Sequence, residues 1–388
     1  MNDTQQPPVQ GFDETESGAN ANAAWRPFSE RRVRVGIVGE GVCRFGSQFG
    51  YQQHPNAEVV AVSDLDPALC RALQECTGAK NAYPSFEEML RHAAEDRLEA
   101  VYIATDAPSH VRLAIMALEH GLHVACAVPA FFGAEQLEFV PRLVDAVKAS
   151  GRLYMMNETT AFRPECYAMR TLYEAGMLGD VVYTEGEYYH PSGNDVNAVM
   201  CGSFEKWREG CPPQYYPTHS NAFYTCVTHR RFVEVSCSGV PSLNTHYAPA
   251  NNRYANPYGS EFAMMRCEDG SAARMLVAWD VPAFSGETGR VFGNKGCYVP
   301  GQGYRGWFEA QVAKMDLAKP PLPPGVPAGS HGGSHSYLTD DFLRGILVPG
   351  HKVCVDLKTA LDTTLAGVYA HLSAMEGGET LKIPESGV

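Results

Sequence analysis

VRVGIVGEGVCRFG, residues 33–46, decides the fold, together with a second apolar run, VVAVSD, that ends on Asp64 about 20 residues beyond the glycines. An apolar strand opens into a turn built on Gly39 and Gly41, and the next strand closes with a carboxylate. Glycines at such a turn let the backbone approach a pyrophosphate, whose charge meets the N-terminal end of the following helix. Asp64 can accept hydrogen bonds from an adenosine ribose and would repel a 2′-phosphate. The stretch therefore reads as a βαβ dinucleotide site formed by Gly39, Gly41, Val42, Arg44 and Asp64, with NAD favoured over NADP. A GxG pair alone says little. The order strand, loop, helix, strand, acid is what gives it weight. Arg44 stands where the fingerprint has its third small residue, and Gly46 follows two positions later, so the helix is expected to sit differently on the loop.

The chain has 388 residues, too many for one ordinary core, and two domains are expected. A formal charge of −13 argues against nucleic acid or an anionic membrane as partner. No apolar run approaches the roughly 20 residues that span a bilayer. Residues 1–30 read as a polar, disordered leader without the apolar centre of a secretion signal. The 12 cysteines show no CxxC pair, which fits reduced thiols in a cytoplasmic protein. His190, His219, His331 and His335 lack metal-ligand spacing, and no metal is expected.

Strand-like and helix-like segments alternate up to residue 150: LCRALQECTG, FEEMLRHAAED, EAVYIATD, SHVRLAIMALEHGLH, HVACAVPA and AEQLEFVPRLVDAVKASG. Such alternation predicts a doubly wound parallel sheet of Rossmann type over residues 31–150, with its ligand at the carboxyl ends of the strands. From residue 151 to 388 the pattern changes to long alternating strands such as GDVVYTEGEYYH and RRFVEVSCSG, and the EDGSA turn between two others signals a hairpin. A second α/β domain with a large open, mostly antiparallel sheet is expected there. A Pro/Gly-rich loop, DLAKPPLPPGVPAGSHGGSH, leads into terminal helices within residues 336–375 that should pack back on the assembly.

With VGIVGEG, IATDAPSH, HVACAVP, EAGMLGDVV, FGNKGCYV and the tail DFLRGIL…VDLKTAL…SAMEGGETLKIP in order, the chain resembles the glucose–fructose oxidoreductase/inositol dehydrogenase (Gfo/Idh/MocA) superfamily from residue 31 to 384. The resemblance implies an NAD-dependent oxidoreductase acting on a sugar or cyclitol hydroxyl, with an open sheet that often builds homo-oligomers. It also implies cofactor contacts from Thr105, His110 and the strand end Val128-Pro129. Two departures matter. The family's lysine before that proline falls on Val128, and the aspartate four residues before its histidine falls on Tyr215, while His219 is kept. Removing a hydride from an alcohol needs a base for the hydroxyl proton, and Val128 cannot be one. Tyr216 and His219, three residues apart in YPTH, would lie on neighbouring positions of one face if the segment enters a helix, and are the catalytic candidates.

The segments AVPA, YMMNET, EGEYYH, YPTH and HGGSH further resemble the branch containing glycoside hydrolase family 109. That similarity implies an alternative, a redox-neutral glycoside hydrolase or lyase. Oxidation at sugar carbon 3 would acidify carbon 2, elimination would expel the carbon-1 substituent, and water addition and reduction would follow. A non-catalytic dinucleotide-binding protein is a second alternative. Glu158, at the end of a parallel strand, is expected at the cofactor or substrate. Tyr189, His190, His331 and His335 are the substrate-side candidates, the last two on a flexible loop.

Overall fold

The structure, a computed structural model, describes residues 25–40, 44–191, 206–281 and 284–388, the side chain of residue 246 aside. The chain divides into two compact units. One runs up to Arg163 and takes back Lys319–Leu361 and Ser386–Val388, and the other comprises Pro164–Ala318 and Asp362–Glu385. The Pro/Gly-rich segment and the helix after it thus belong with the N-terminal unit, not with the sheet that precedes them in sequence.

In the N-terminal unit β1 (Val33–Val38), β2 (Ala57–Ser63), β3 (Asn81–Tyr83), β4 (Ala100–Ile103), β5 (His123–Cys126) and β6 (Tyr154–Met156) form one sheet. Its order is β3-β2-β1-β4-β5-β6, and every pairing is parallel. Strands buried on both faces are largely apolar: Val33, Val35, Ile37, Val101, Tyr102 and Ile103 are fully buried. The helices between them are cut by ordinary signals. Asp66 caps Pro67–Thr77 by accepting the Ala68 N–H, and Ser85 caps Phe86–Arg91 through the Glu88 N–H. The strand order reverses between β1 and β4, and the chain leaves those two strands at Gly39 and Ala104, the switch point where such sheets bind ligands.

The second unit holds eight strands: β7 (Val181–Tyr189), β8 (Phe232–Pro241), β9 (Tyr258–Cys267), β10 (Ala272–Ala278), β11 (Gly286–Gly293), β12 (Gly296–Val299), β13 (Gly303–Gly306) and β14 (Leu381–Lys382). Their order is β13-β12-β11-β7-β10-β9-β8-β14, antiparallel at every neighbour except β7 and β10. Burial alternates along the strands. In β9, Ala263, Met265 and Cys267 are buried while Phe262, Met264 and Arg266 face outward. The helix Thr218–Thr228, buried at every residue, packs against β7, β10 and β11. Gly186 and Gly289 are partners in the β7/β11 register and form a notch for it. A side chain on Gly186 would fall on the Ser220 carbonyl, and one on Gly289 on the Phe223 ring. No helix among the described residues is long and apolar enough to cross a membrane.

Candidate functional site

The glycine turn is tight in the way a phosphate-binding loop requires. Gly39 has φ +87°, and a Cβ there would lie 2.8 Å from Thr105 Cγ2 and 3.1 Å from the Ala104 carbonyl oxygen. Gly46 supplies the close contact expected of the third small residue of the fingerprint, since a Cβ there would fall on the Gly39 carbonyl oxygen. Arg44 instead takes the left-handed conformation, φ 56°, just before the short helix Phe45–Gln48. Gly41 and Val42 lie outside the described residues.

Asp64 holds this loop. Its Oδ2 accepts the Glu40 N–H at 2.8 Å, and its Oδ1 accepts the Asp66 N–H at 2.8 Å. Glu40, with 1% exposure, turns its carboxylate onto Ser47, accepting from the backbone N–H at 2.8 Å and from the hydroxyl at 2.7 Å. Burial raises this carboxyl above its ordinary value, and the Ser47 bonds oppose that rise. The glycine cradle, the switch point and an acid closing β2 together fit a dinucleotide.

His110 is fully buried. Its Nδ1 lies 2.9 Å from the Pro129 carbonyl and its Nε2 3.2 Å from that of Thr105, so it joins the two loop ends predicted to line the cofactor. Val128 is buried at the end of β5. Glu158 follows β6, and its Oε1 accepts the Thr160 N–H at 2.8 Å, which caps the turn Thr159–Phe162. Its placement at a parallel strand end is as expected from sequence.

The HGGSH segment corrects an expectation. It is no flexible surface loop: His331 and His335 are buried, with His331 Nδ1 2.8 Å from His335 Nε2. The apolar Phe49 ring stacks on His335 at 4.3 Å, and Lys319 Nζ ties the turn by donating to the Gly332 and Gly333 carbonyls. Burial pushes the His335 imidazole down to about 3. The unfolded chain, with a histidine near 6.5, therefore takes up the proton first. The stability that follows is complete above about pH 6.5 and is lost progressively as pH falls toward 3. Urea unfolding should show about 2 kcal/mol lost between pH 7 and pH 5 from this group, and His335→Asn should flatten that slope.

The second unit gathers its own group of polar and aromatic side chains. Tyr216 precedes the helix Thr218–Thr228 and His219 lies in its first turn, with ring centroids 5.8 Å apart. The two predicted residues are thus neighbours although only one is helical. His219 Nδ1 lies 3.4 Å from Glu287 Oε2, and both side chains are buried. Tyr188 packs on His219 at 4.5 Å, and His190 packs against Tyr188 at 5.8 Å and Trp279 at 6.1 Å. Trp207 stacks on Tyr216 at 6.2 Å, with the Arg208 guanidinium 5.0 Å from the Tyr216 ring centre.

Tyr189 is placed on the other face of β7 and meets Phe284, because strand parity alternates. Tyr188, not the substrate-side candidate Tyr189, lies on the face of β7 that meets His219. Glu287 was missed altogether. Its signal is its register: it lies opposite Tyr188 in the β7/β11 pairing, so both point to the face that carries His219.

Residues 33–158 match the model of the Gfo/Idh/MocA oxidoreductase family, described as an NAD-binding Rossmann fold. Over this domain the chain is similar to that family. Among curated proteins it is similar to glycosyl hydrolase family 109 protein 1 of Bacteroides fragilis strain YCH46, with 31% identity over 166 residues. That match spans 41% of this chain and 35% of the relative. An α-N-acetylgalactosaminidase of Bacteroides fragilis is 31% identical over 163 residues, 41% of this chain and 38% of its own. Among solved structures, an inositol dehydrogenase homolog complexed with NAD+ from Azotobacter vinelandii has the same fold, with TM-score 0.70, 19% identity and coverage of 91% of this chain and 97% of its own. The apo scyllo-inositol dehydrogenase of Lactobacillus casei is similar at TM-score 0.69 and 15% identity, over 92% of this chain and 99% of its own.

Proposed function

We propose that the chain is an NAD-dependent oxidoreductase that moves a hydride between a secondary alcohol of a sugar or cyclitol and nicotinamide, with His219 handling the hydroxyl proton. The buried His219–Glu287 pair carries this reading. NAD would be held by the turn at Gly39, Gly46 and Asp64 and would supply the hydride acceptor. Loss of the hydride turns the alcohol carbon into a carbonyl carbon, and the hydroxyl proton must leave with it. Val128 has no group to take that proton. His219 has one. The Glu287 carboxylate beside Nδ1 favours the proton on that nitrogen, which leaves Nε2 as the acceptor, and it stabilises the imidazolium once formed. The Tyr216 ring lies beside His219, with centroids 5.8 Å apart, and its phenol is assigned the role of orienting the substrate hydroxyl. Tyr188, Trp207 and Trp279 add flat apolar faces of the kind that line small-molecule sites.

The names of the curated relatives favour a second reading, in which the same oxidation begins a redox-neutral cleavage of a glycoside and reduction of the ketone ends it. One experiment separates the two. Purified protein is incubated with free cyclitols and sugars plus NAD, and in parallel with aryl glycosides without added NAD. NADH accumulation with the free alcohols supports the dehydrogenase. Aglycone release without NADH supports the glycosidase. Silence across both panels overturns both readings and leaves dinucleotide binding alone.

A further inference from the structure

We propose that Glu261 and His371 form a buried positioning pair that holds the segment Gln214–His219 in its working conformation, an inference that rests on the role assigned above to Tyr216 and His219. Glu261 is fully buried in β9. Its Oε1 accepts a hydrogen bond from His371 Nδ1 at 2.7 Å, and its Oε2 accepts the Gln214 N–H at 2.7 Å. His371 sits at 3% exposure on the final helix, Leu357–Met375, and its ring meets Tyr215 edge to face at 4.7 Å. One carboxylate therefore joins a sheet strand, the last helix and the residues immediately before Tyr216.

Nothing in the fold of the sheet requires an acid at this point. An apolar side chain would fill the same place without the desolvation that a buried carboxylate carries. What the carboxylate adds is a directional bond to the Gln214 N–H. The Gln214 side chain reinforces it with longer bonds, at 3.4 Å each, to the Glu261 and Met275 carbonyls. The last helix then closes on this segment where it carries Gly367, since a Cβ there would fall on the Gln214 carbonyl and on the Pro217 ring. Two further bonds fix the His219 helix to the same partner: Asn221 Nδ2 donates to the Thr363 carbonyl at 3.0 Å, and the Thr225 and Thr363 hydroxyls lie 2.8 Å apart. Tyr216 and His219 are thereby held at both ends, by the carboxylate before them and by the helix contacts after them.

The test compares Glu261→Leu, Glu261→Gln and His371→Gln in the full-length protein. Glutamine at 261 keeps an oxygen acceptor for the Gln214 N–H and offers an N–H to a histidine in its other tautomer, so geometry survives without charge. Glu261→Leu is expected to lower kcat by about 10²-fold, the scale of a misplaced catalytic group, with KM within about threefold of the parent. Glu261→Gln and His371→Gln should stay within about tenfold of the parent. Spectra of protein labelled with 15N in its histidines, with His219 assigned through His219→Gln, should show the His219 signals moved in Glu261→Leu and kept in Glu261→Gln. That readout needs no turnover. If no sugar is oxidised, the functional reading fails while the spectra still decide the positioning. Unmoved His219 signals in Glu261→Leu, or equal losses of kcat in the leucine and glutamine variants, would overturn the proposal.

Discussion

His219→Ala is expected to lower kcat for alcohol oxidation by about 10²- to 10⁴-fold, the usual contribution of a positioned acid–base group. NAD should still bind, because every residue assigned to the cofactor lies in the other unit. Glu287→Gln tests the pair rather than the base alone. The amide fills the same volume but carries no charge to favour imidazolium, and it can present an N–H where Nδ1 already has one. The histidine would then turn its basic nitrogen toward residue 287 and away from the substrate. A fall of about 10- to 10²-fold is expected, the scale on which a partner that orients a functional histidine acts. A primary isotope effect with substrate deuterated at the oxidised carbon should shrink in both variants if proton removal has become the slow step. Full activity in His219→Ala would move the base elsewhere and remove the main support for the mechanism.

Gly46→Ala should act on the cofactor instead. The new methyl would occupy the position of the Gly39 carbonyl oxygen and come within 2.8 Å of Glu40 Oε2, so the turn itself has to move. Overpacking of this kind costs about 1–3 kcal/mol. If that strain is relieved only by opening the loop, NAD affinity falls by about 5- to 150-fold. Calorimetric titration with NAD reads the effect directly. Gly78→Ala is the control. It changes another glycine in the same unit, in the left-handed region at φ 69°, but a Cβ there meets nothing within 4 Å. It should cost about 1 kcal/mol of stability and leave NAD affinity untouched.

The parallel sheet was legible because its strands are buried on both faces, so Val35–Val38 and Ala100–Ile103 read as unbroken apolar runs, with clear caps on the helices that follow β2 and β3. The glycine turn and Asp64 were legible for a related reason, since their meaning is local. Glu287 was not. A glutamate between Gly286 and Thr288 says nothing until β11 is laid against β7 in a particular register. The choice between Tyr188 and Tyr189 likewise depends on which face of β7 is covered, a fact set by a helix that starts at Thr218. Glu261 and His371 are 110 residues apart and share no pattern in sequence. The HGGSH segment looked like a mobile surface because glycine and serine are common in loops. The packing of Phe49, remote in sequence, and the bonds that Lys319 donates to its carbonyls make it a core turn.

The paired glycines of β7 and β11 have a consequence for how this chain can change. The Thr218–Thr228 helix has only one seating in which the Ser220 carbonyl and the Phe223 ring fall over residues without side chains. A slip of one residue would bring other side chains to the notch, so intermediate placements of His219 are closed off. Under the proposed mechanism, proton handling is therefore inherited as a single block. Laboratory evolution toward a new substrate should collect its substitutions around Tyr188, His190, Trp207 and Trp279, where rings meet without interlocking. It should leave Gly186 and Gly289 unchanged.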